Sequence, residues 1–469
     1  MNFGWNLLWF IVGVSLLVTV HEFGHYWVAR KLGFKVLRFS IGFGKPLFKR
    51  IGRAPDHIEY VVAALPLGGY VKMLDEREGL VAPADAARAF GAKAPWKRIL
   101  VMLAGPAANI LFAIVVLWGI FWSTESVGLK PVIGDVVVGK PVAVAGLRSG
   151  DEIMSINGRA TKNQGDAAIS LLDGISDDGD VLVQVRGRDG LRRDINLSVA
   201  GRDARRKLTE PNKLLTGLGF EFWEPARPAS IAEVKAEGPA AKAGLRAGDL
   251  IVSIDGQPIS SSKEFRVYVQ SRPATSVLVK WRRDGTEMSG RTTTTSEVDD
   301  DGNRIGRLSV VVGAPASSPE EFEKLIPEAM KIRTSYGPVD ALGAAAYQAW
   351  DLTAMQAKFF GRMLTGKISM KNLSSPIGIA GYAGDSARAG PDHFIMFLVL
   401  ISLSLGFLNL LPIPILDGGQ IVFVVAEWLK GRPLSERAQM VGWNAGLVML
   451  ALLMGVAVFN DLSSRFGSS

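Results

Sequence analysis

Long uncharged runs alternate along this chain with charged, strand-like stretches. From Met1 to Ala29 the only formally charged residue is Glu22, and apolar side chains dominate from about Phe3 onward. A second apolar run covers Ile99 to about Trp122. A third starts near His393 and stays uncharged until Asp417, and a fourth covers about Val441 to Phe459. Each is long enough to cross a bilayer as a helix. The stretch Ile421–Ala426 is apolar but too short to span. The first run is too long, and too weakly charged at its start, for a signal peptide, and no small-residue cleavage site follows it. The pattern predicts spans at 1–30, 99–123, 393–416 and 441–460.

Between the second and third spans the period changes. Ala145-Gly146-Leu147-Arg148-Ser149-Gly150-Asp151 recurs as Ala243-Gly244-Leu245-Arg246-Ala247-Gly248-Asp249. Alternating apolar residues follow each copy and end in Asn157-Gly158 or Asp255-Gly256, which are strong hairpin turns. Two copies predict tandem α+β domains, set here at 125–210 and 215–315. They resemble bacterial PDZ domains. Gly217, Leu218, Gly219 and Phe220 resemble a PDZ carboxylate-binding loop for the second copy, while the first copy has only Gly128-Leu129-Lys130-Pro131 near that place. Peptide capture and a spacer or gating role both remain open for the pair. The connector 318–390 reads as helical, with Glu320, Glu321 and Glu323 near its start and breaks at Pro327 and Pro338. Its section Gln348–Met363 fits an amphipathic helix on the membrane face or a helix packed on the paired domains.

Charge sets the orientation. The stretch between the first two spans holds Arg30, Lys31, Lys35, Arg38, Lys45, Lys49, Arg50, Arg53, Lys72, Lys97 and Arg98, and the loop 417–440 adds Lys430, Arg432 and Arg437. Both are predicted cytoplasmic, with the two termini and the repeated domains on the far side. Topology thus accounts for much of the net charge of +8, and no basic face is gathered for nucleic acid. The 469 residues contain no cysteine, which excludes disulfides, thiolate metal sites and a cysteine nucleophile.

The chemistry lies in the first span. His21-Glu22-Phe23-Gly24-His25 is an HExxH, which sets two imidazoles on one helix face beside a carboxylate. Such a pair can share Zn²⁺, and ionisable groups at membrane depth indicate function. Alone, the pentapeptide fits interfacial histidines equally well. Lys31 stands where a metzincin would have its third histidine, so that extension fails. The best remaining ligand is Asp417, in Asn409-Leu410-Leu411-Pro412-Ile413-Pro414-Ile415-Leu416-Asp417-Gly418-Gly419. Its prolines disfavour continuous helix, and its glycines free the backbone after the acid. Standing alone, Asp417 would also admit a second, weaker reading as an interfacial cap of the next helix.

Together these residues resemble the site-2 protease family of intramembrane zinc metalloproteases. Gly105-Pro106-Ala107-Ala108-Asn109, the run from Ala64 to Met73, and Lys371-Asn372-Leu373-Ser374-Ser375-Pro376-Ile377 add to the likeness, although the family more often has glycine at the position of Ser375. The expected fold is a multi-pass α-helical membrane protein with four transmembrane helices, two inserted extracytoplasmic PDZ domains and a membrane-associated β-loop. Tandem PDZ domains point to the proteobacterial branch, which clips membrane-spanning anti-sigma factors.

The resemblance implies His21, His25 and Asp417 as zinc ligands and Glu22 as general base. It implies Asn409 and Pro412 as substrate contacts, together with Gly42, Phe43 and Gly44 in a β-loop whose strand edge pairs with the scissile segment. The implied partners are transmembrane segments of substrate proteins, an anti-sigma factor or remnant signal peptides, and the lipid bilayer of a bacterial inner membrane. A catalytically silent membrane PDZ receptor is the alternative of another class. It predicts a missing ligand or base, and all four residues are present.

Overall fold

The computed structural model describes residues 3–76, 79, 81–298, 302–313 and 319–466. Among them, four helices are long and apolar enough to cross a membrane. The first two are Phe3–Lys31 and Pro95–Ser123. The others are Pro391–Asn409 and Glu436–Phe466. Pro95 and Pro391 each open a helix, where a missing N–H costs nothing. The third span stops at Asn409, not at 416. Residues 410–416 turn irregularly because Pro412 and Pro414 cannot donate to a helical ladder. Helix resumes at Asp417–Lys430 and absorbs the short apolar stretch 421–426.

Small residues bring the spans together. A Cβ on Gly24 would stand 2.3 Å from the Ala104 carbonyl oxygen and 2.7 Å from the Ala108 Cβ. The first two spans therefore meet backbone to backbone. Leu17, Phe394 and Leu398 bury the contact between the first and third.

The connector contains one long helix, Pro338–Leu364, which Pro338 opens rather than breaks. Its stripe Ala341, Ala345 and Ala349 is buried, and the latter two pack with Ala113 and Leu117 of the second span and Val399 and Leu403 of the third. Its polar side faces the first repeat module: Arg362 pairs with Asp173 and Asp177, both at 2.5 Å, and Asp351 with Arg159 at 2.9 Å. It is thus wedged between spans and module. The earlier connector helix starts at Pro319. Ser318 and the side chains of Glu320 and Glu321 lie outside the described residues. At Ser375 the hydroxyl caps the helix Pro376–Ala389 and donates to Asp461 of the fourth span.

The loop after the first span folds into a sheet from two long, bent strands, Val36–Ile51 and Glu59–Met73. Arg38 to Ile41 lie beside Glu59 to Val62 on one flank and beside Gly69 to Lys72 on the other. The segment 38–41 leading into Gly42–Gly44 is therefore interior, and the edge flanking it is Gly69–Met73. Gly42 and Gly44 adopt φ of +87° and +88°, as the sharp turn requires. Phe43 between them stacks on Tyr70.

The two repeat modules have the same topology. Each has a four-stranded sheet: Arg159–Ala160, Glu152–Ile156, Asp180–Arg186 and Arg192–Ser198 in the first, and Gln257–Pro258, Leu250–Ile254, Ser276–Arg283 and Thr286–Thr293 in the second. Each has a capped helix, Gln164–Asp177 behind Asn163 and Ser262–Gln270 behind Ser261. A final strand closes each module: Phe220–Phe222 pairs with Ile133–Val136, and Val310–Val312 with Ile231–Val234. This order corrects the domain boundary. Gly217–Phe220 ends the first module and does not begin the second, because Leu218 and Phe220 fill the first module's core. The seven-residue repeat itself is structural: Asp151 and Asp249 accept from the N–H of Arg148 and Arg246, and Arg193 and Arg283 pair with them.

Both modules hang from one stem. Ser126–Leu129, just after the second span, pairs with Lys331–Thr334, just before the long connector helix, in the register Ser126 to Thr334 and Leu129 to Lys331.

Candidate metal centre

The first span carries His21 and His25 one turn apart, and the second span shapes the space they occupy. Gly105 lies under both rings: a Cβ there would sit 2.3 Å from His25 Nε2 and 2.8 Å from His21 Cε1. Asp417 reaches the same point from the first turn of its helix. Gly418 and Gly419 allow this by close approach, not by loosening the chain. Their Cβ positions would fall 2.3 Å from the Leu410 carbonyl oxygen and 2.2 Å from that of Ile413.

Three donor atoms converge. His21 Nε2 and His25 Nε2 are 3.1 Å apart, and Asp417 Oδ2 lies 3.2 Å from the first and 3.4 Å from the second. Ligands about 2.0–2.1 Å from a tetrahedral Zn²⁺ stand about 3.3 Å from one another, so this triangle has the size of one face of the tetrahedron. Asp417 Oδ2 is buried and lacks a hydrogen bond among the described residues, an arrangement a cation relieves.

Tautomers agree with this. His25 Nδ1 lies 2.7 Å from the Val101 carbonyl oxygen, which can only accept. The ring proton is therefore on Nδ1, and Nε2 presents a lone pair to the centre. Asn109 approaches His21 Nδ1 at 3.4 Å with its amide nitrogen, while its Oδ1 is buried without a partner. Turning the amide over puts Oδ1 against an Nδ1 proton and frees His21 Nε2 in the same way.

Glu22 is half-buried on the same helix. The Val71 N–H meets its carboxylate, and Gly69 leaves room for it: a Cβ there would lie 3.0 Å from Glu22 Cγ. The open edge 69–73 therefore runs past the carboxylate. Asn409 ends the third span and Pro412 sits exposed in the irregular turn before Asp417. Gly42, Phe43 and Gly44 reach this region only through the strand they turn into. Gly217–Phe220 belongs to the first module's core.

In the sequence Gly105 and Asn109 carry family likeness alone and have no evident place in the site. A polar Asn within an uncharged run was the available signal. Gly69 gave none beyond its presence in a glycine pair.

A fold of four membrane-length helices around a part-buried His-His-Asp triangle and an adjacent glutamate defines a zinc metalloendopeptidase. The model for "Peptidase family M50" matches residues 9–453, and the chain belongs to that family, the site-2 proteases. It is 39% identical over 461 residues to the regulator of sigma-E protease RseP of Salmonella typhimurium, covering 98% of each chain. It is 37% identical over 465 residues to RseP of Escherichia coli K12, covering 99% of each. A putative zinc metalloprotease of Neisseria meningitidis, NMA0084, is 38% identical over 469 residues, 98% of this chain and 100% of that one. Among solved structures, the PDZ domain of an SdrC-like protein of Listeria monocytogenes matches 18% of this chain at 28% identity, with a TM-score of 0.16.

Proposed function

We propose that the chain hydrolyses a peptide bond in the membrane-spanning segment of single-pass membrane proteins, foremost an anti-sigma factor already cut on its extracytoplasmic side. The donor triangle of His21, His25 and Asp417 at membrane depth is the observation that carries this reading. The names of the Salmonella and Escherichia relatives support the regulatory setting. The basic loops 31–98 and 417–440 favour a cytoplasmic-side site in the bacterial inner membrane, with both termini and both modules periplasmic.

His21, His25 and Asp417 hold the zinc. The ion, when bound, supplies a Lewis acid and brings the pKa of a water toward neutrality. Glu22 takes the proton of the attacking water and returns it to the leaving amine. The Val71 N–H keeps its carboxylate oriented for both transfers.

A substrate helix hides its carbonyls in its own hydrogen bonds and must unwind before attack. The edge Gly69–Met73 offers the released segment a strand partner alongside Glu22. Asn409 and Pro412 meet the substrate on the other flank, where an amide can satisfy freed backbone groups.

The modules select what enters. In the second, a cleft of about 550 Å³ runs between the helix Ser262–Gln270 and the closing strand, lined by Phe265, Val269, Leu308 and Val312 with Arg266 and Lys235 at its rim. That cleft suits a newly cut, carboxylate-ending peptide. In the first module Gly217–Phe220 leads into the closing strand at the place that Arg307–Val310 holds beside the second module's cleft, with Leu208 packed on Gly217.

The test is Glu22→Gln in the full chain. Zinc content by elemental analysis is expected to stay at one per chain, cleavage of a membrane-embedded reporter to cease, and uncut substrate to co-purify for identification by mass spectrometry. Continued cleavage by the variant would remove Glu22 as the base and overturn the proposal.

A further inference from the structure

The second span supports the metal centre at two points already described, the Val101 carbonyl for His25 and Asn109 for His21. The third ligand has no such direct support, since Asp417 arrives on a separate short helix. That helix is fixed to the second span elsewhere. Arg98, in the span's first turn, places Nη1 2.9 Å from Glu427 Oε2 on the Asp417–Lys430 helix. Both side chains are nearly buried, at 10% and 11% exposure. The guanidinium also lies over the Phe90 ring, 5.0 Å from its centroid.

We propose that Arg98 and Glu427 are positioning residues for Asp417, an inference that rests on His21, His25 and Asp417 being the zinc ligands. Beyond the packing of Val424 and Phe423 and a bond from Gln420 to the Pro414 carbonyl, two points fix the helix. At its start Gly418 and Gly419 press on carbonyls of the preceding turn, and near its end Glu427 is held by Arg98. Ten residues separate Asp417 from Glu427, a rise of about 15 Å. With only the first point in place, rotation of the helix about its own axis is opposed by the packing of Val424 and Phe423 and the Gln420–Pro414 bond alone. A rotation of about 20° moves a side-chain atom roughly 5 Å from the axis by nearly 2 Å, far beyond the ~0.2 Å a metal ligand tolerates. The second point removes that freedom. Burial makes the pair selective, because a lone buried charge on either helix is strongly unfavourable.

The experiment uses the purified full chain in detergent with four variants: Glu427→Gln, Arg98→Gln, Arg98→Lys and the reversed pair Arg98→Glu with Glu427→Arg. Zinc affinity is read by chelator competition, the zinc-free fold by thermal melting, and cleavage by kcat and KM separately. Each neutral variant is expected to bind zinc about 10–100-fold more weakly, with kcat falling more than KM and the zinc-free melting curve little changed. The reversed pair is expected to recover at least about tenfold of that loss, and Arg98→Lys to fall between. Unchanged zinc affinity in folded single variants would overturn the proposal, as would a loss that neither conservative nor reversed variant recovers. Should the neutral variants fail to accumulate, Arg98→Lys decides: wild-type zinc affinity there counts against positioning, and a partial loss with an unchanged zinc-free fold counts for it. Asp417→Asn separates the two levels. If that change leaves zinc affinity intact, the ligand assignment fails, whatever the Arg98–Glu427 variants do.

Discussion

Gly105→Ala adds a single methyl at the floor of the metal centre. Built on the backbone, it falls 2.3 Å from His25 Nε2, 2.7 Å from His25 Cε1 and 2.8 Å from His21 Cε1. Non-bonded heavy atoms settle at about 3.5–4.0 Å, so both imidazoles must retreat by about 1 Å. His25 cannot do so while keeping its bond to Val101, and a metal ligand tolerates only about 0.2 Å. Losing one outer-shell partner costs about 10–100-fold in metal affinity. Moving two ligands at once is expected to cost about 1,000-fold or more, roughly 4 kcal/mol at 1.4 kcal/mol per factor of ten. The fold should not suffer comparably, because alanine is favoured over glycine in a helix by about 1 kcal/mol. The assay pairs chelator competition for zinc with thermal melting of the zinc-free protein. Gly119→Ala on the same helix is the control, since nothing lies within 4 Å of its Cβ position. Wild-type zinc affinity and cleavage in Gly105→Ala would refute the geometry.

Asn109→Ala removes the partner of His21 Nδ1 and is expected to weaken zinc about 10–100-fold, measured by the same competition. Gly69→Ala sets a methyl 2.7 Å from the Ser40 carbonyl oxygen and 3.0 Å from Glu22 Cγ, so kcat on a transmembrane reporter should fall at least about tenfold while zinc content stays unchanged. In the second module, burial pushes the Asp249 carboxyl up, but the Arg283 guanidinium and the Arg246 N–H outweigh it and hold the group below the ordinary aspartate value. Its stabilisation is therefore complete above about pH 3.9, the unfolded value, and fades as pH falls through the lower folded value. Asp249→Asn should cost about 3 kcal/mol at pH 7, read as hydrogen-exchange protection of Leu250–Ile254, with the gap to wild type narrowing below about pH 4. An equal gap at neutral and strongly acid pH would show that charge is not the cause.

What could be read from the chain was local. The spans follow from runs of apolar residues, the hairpins from Asn157-Gly158 and Asp255-Gly256, and the donors from an HExxH and an isolated Asp417. What could not be read depended on partners distant in sequence. The closing strand Phe220–Phe222 pairs back to Ile133–Val136, so Gly217–Phe220 reads by proximity as the start of the next module although it finishes the previous one. The loop at 38–44 has obvious strand and turn residues, but only the pairing of Arg38–Ile41 on both flanks reveals that the edge lies at 69–73. Gly105 matters for the volume it leaves to rings on another helix, and composition carries no trace of that. The third span's early end at Asn409 is legible in the sequence, since Pro412 and Pro414 are incompatible with continuous helix.

The stem formed by Ser126–Leu129 and Lys331–Thr334 brings the chain's entry into the two modules beside its exit from them. About 200 residues leave and rejoin the membrane core through points only one strand spacing apart, about 5 Å. Splicing a tight turn between Leu129 and Lys331 would therefore remove both modules without stretching the second span or the connector helix, and a foreign domain with adjoining termini could be grafted at the same seam. The hydrolytic core and the modules are thus joined by this stem and by the connector helix, whose Arg362 and Asp351 hold the first module.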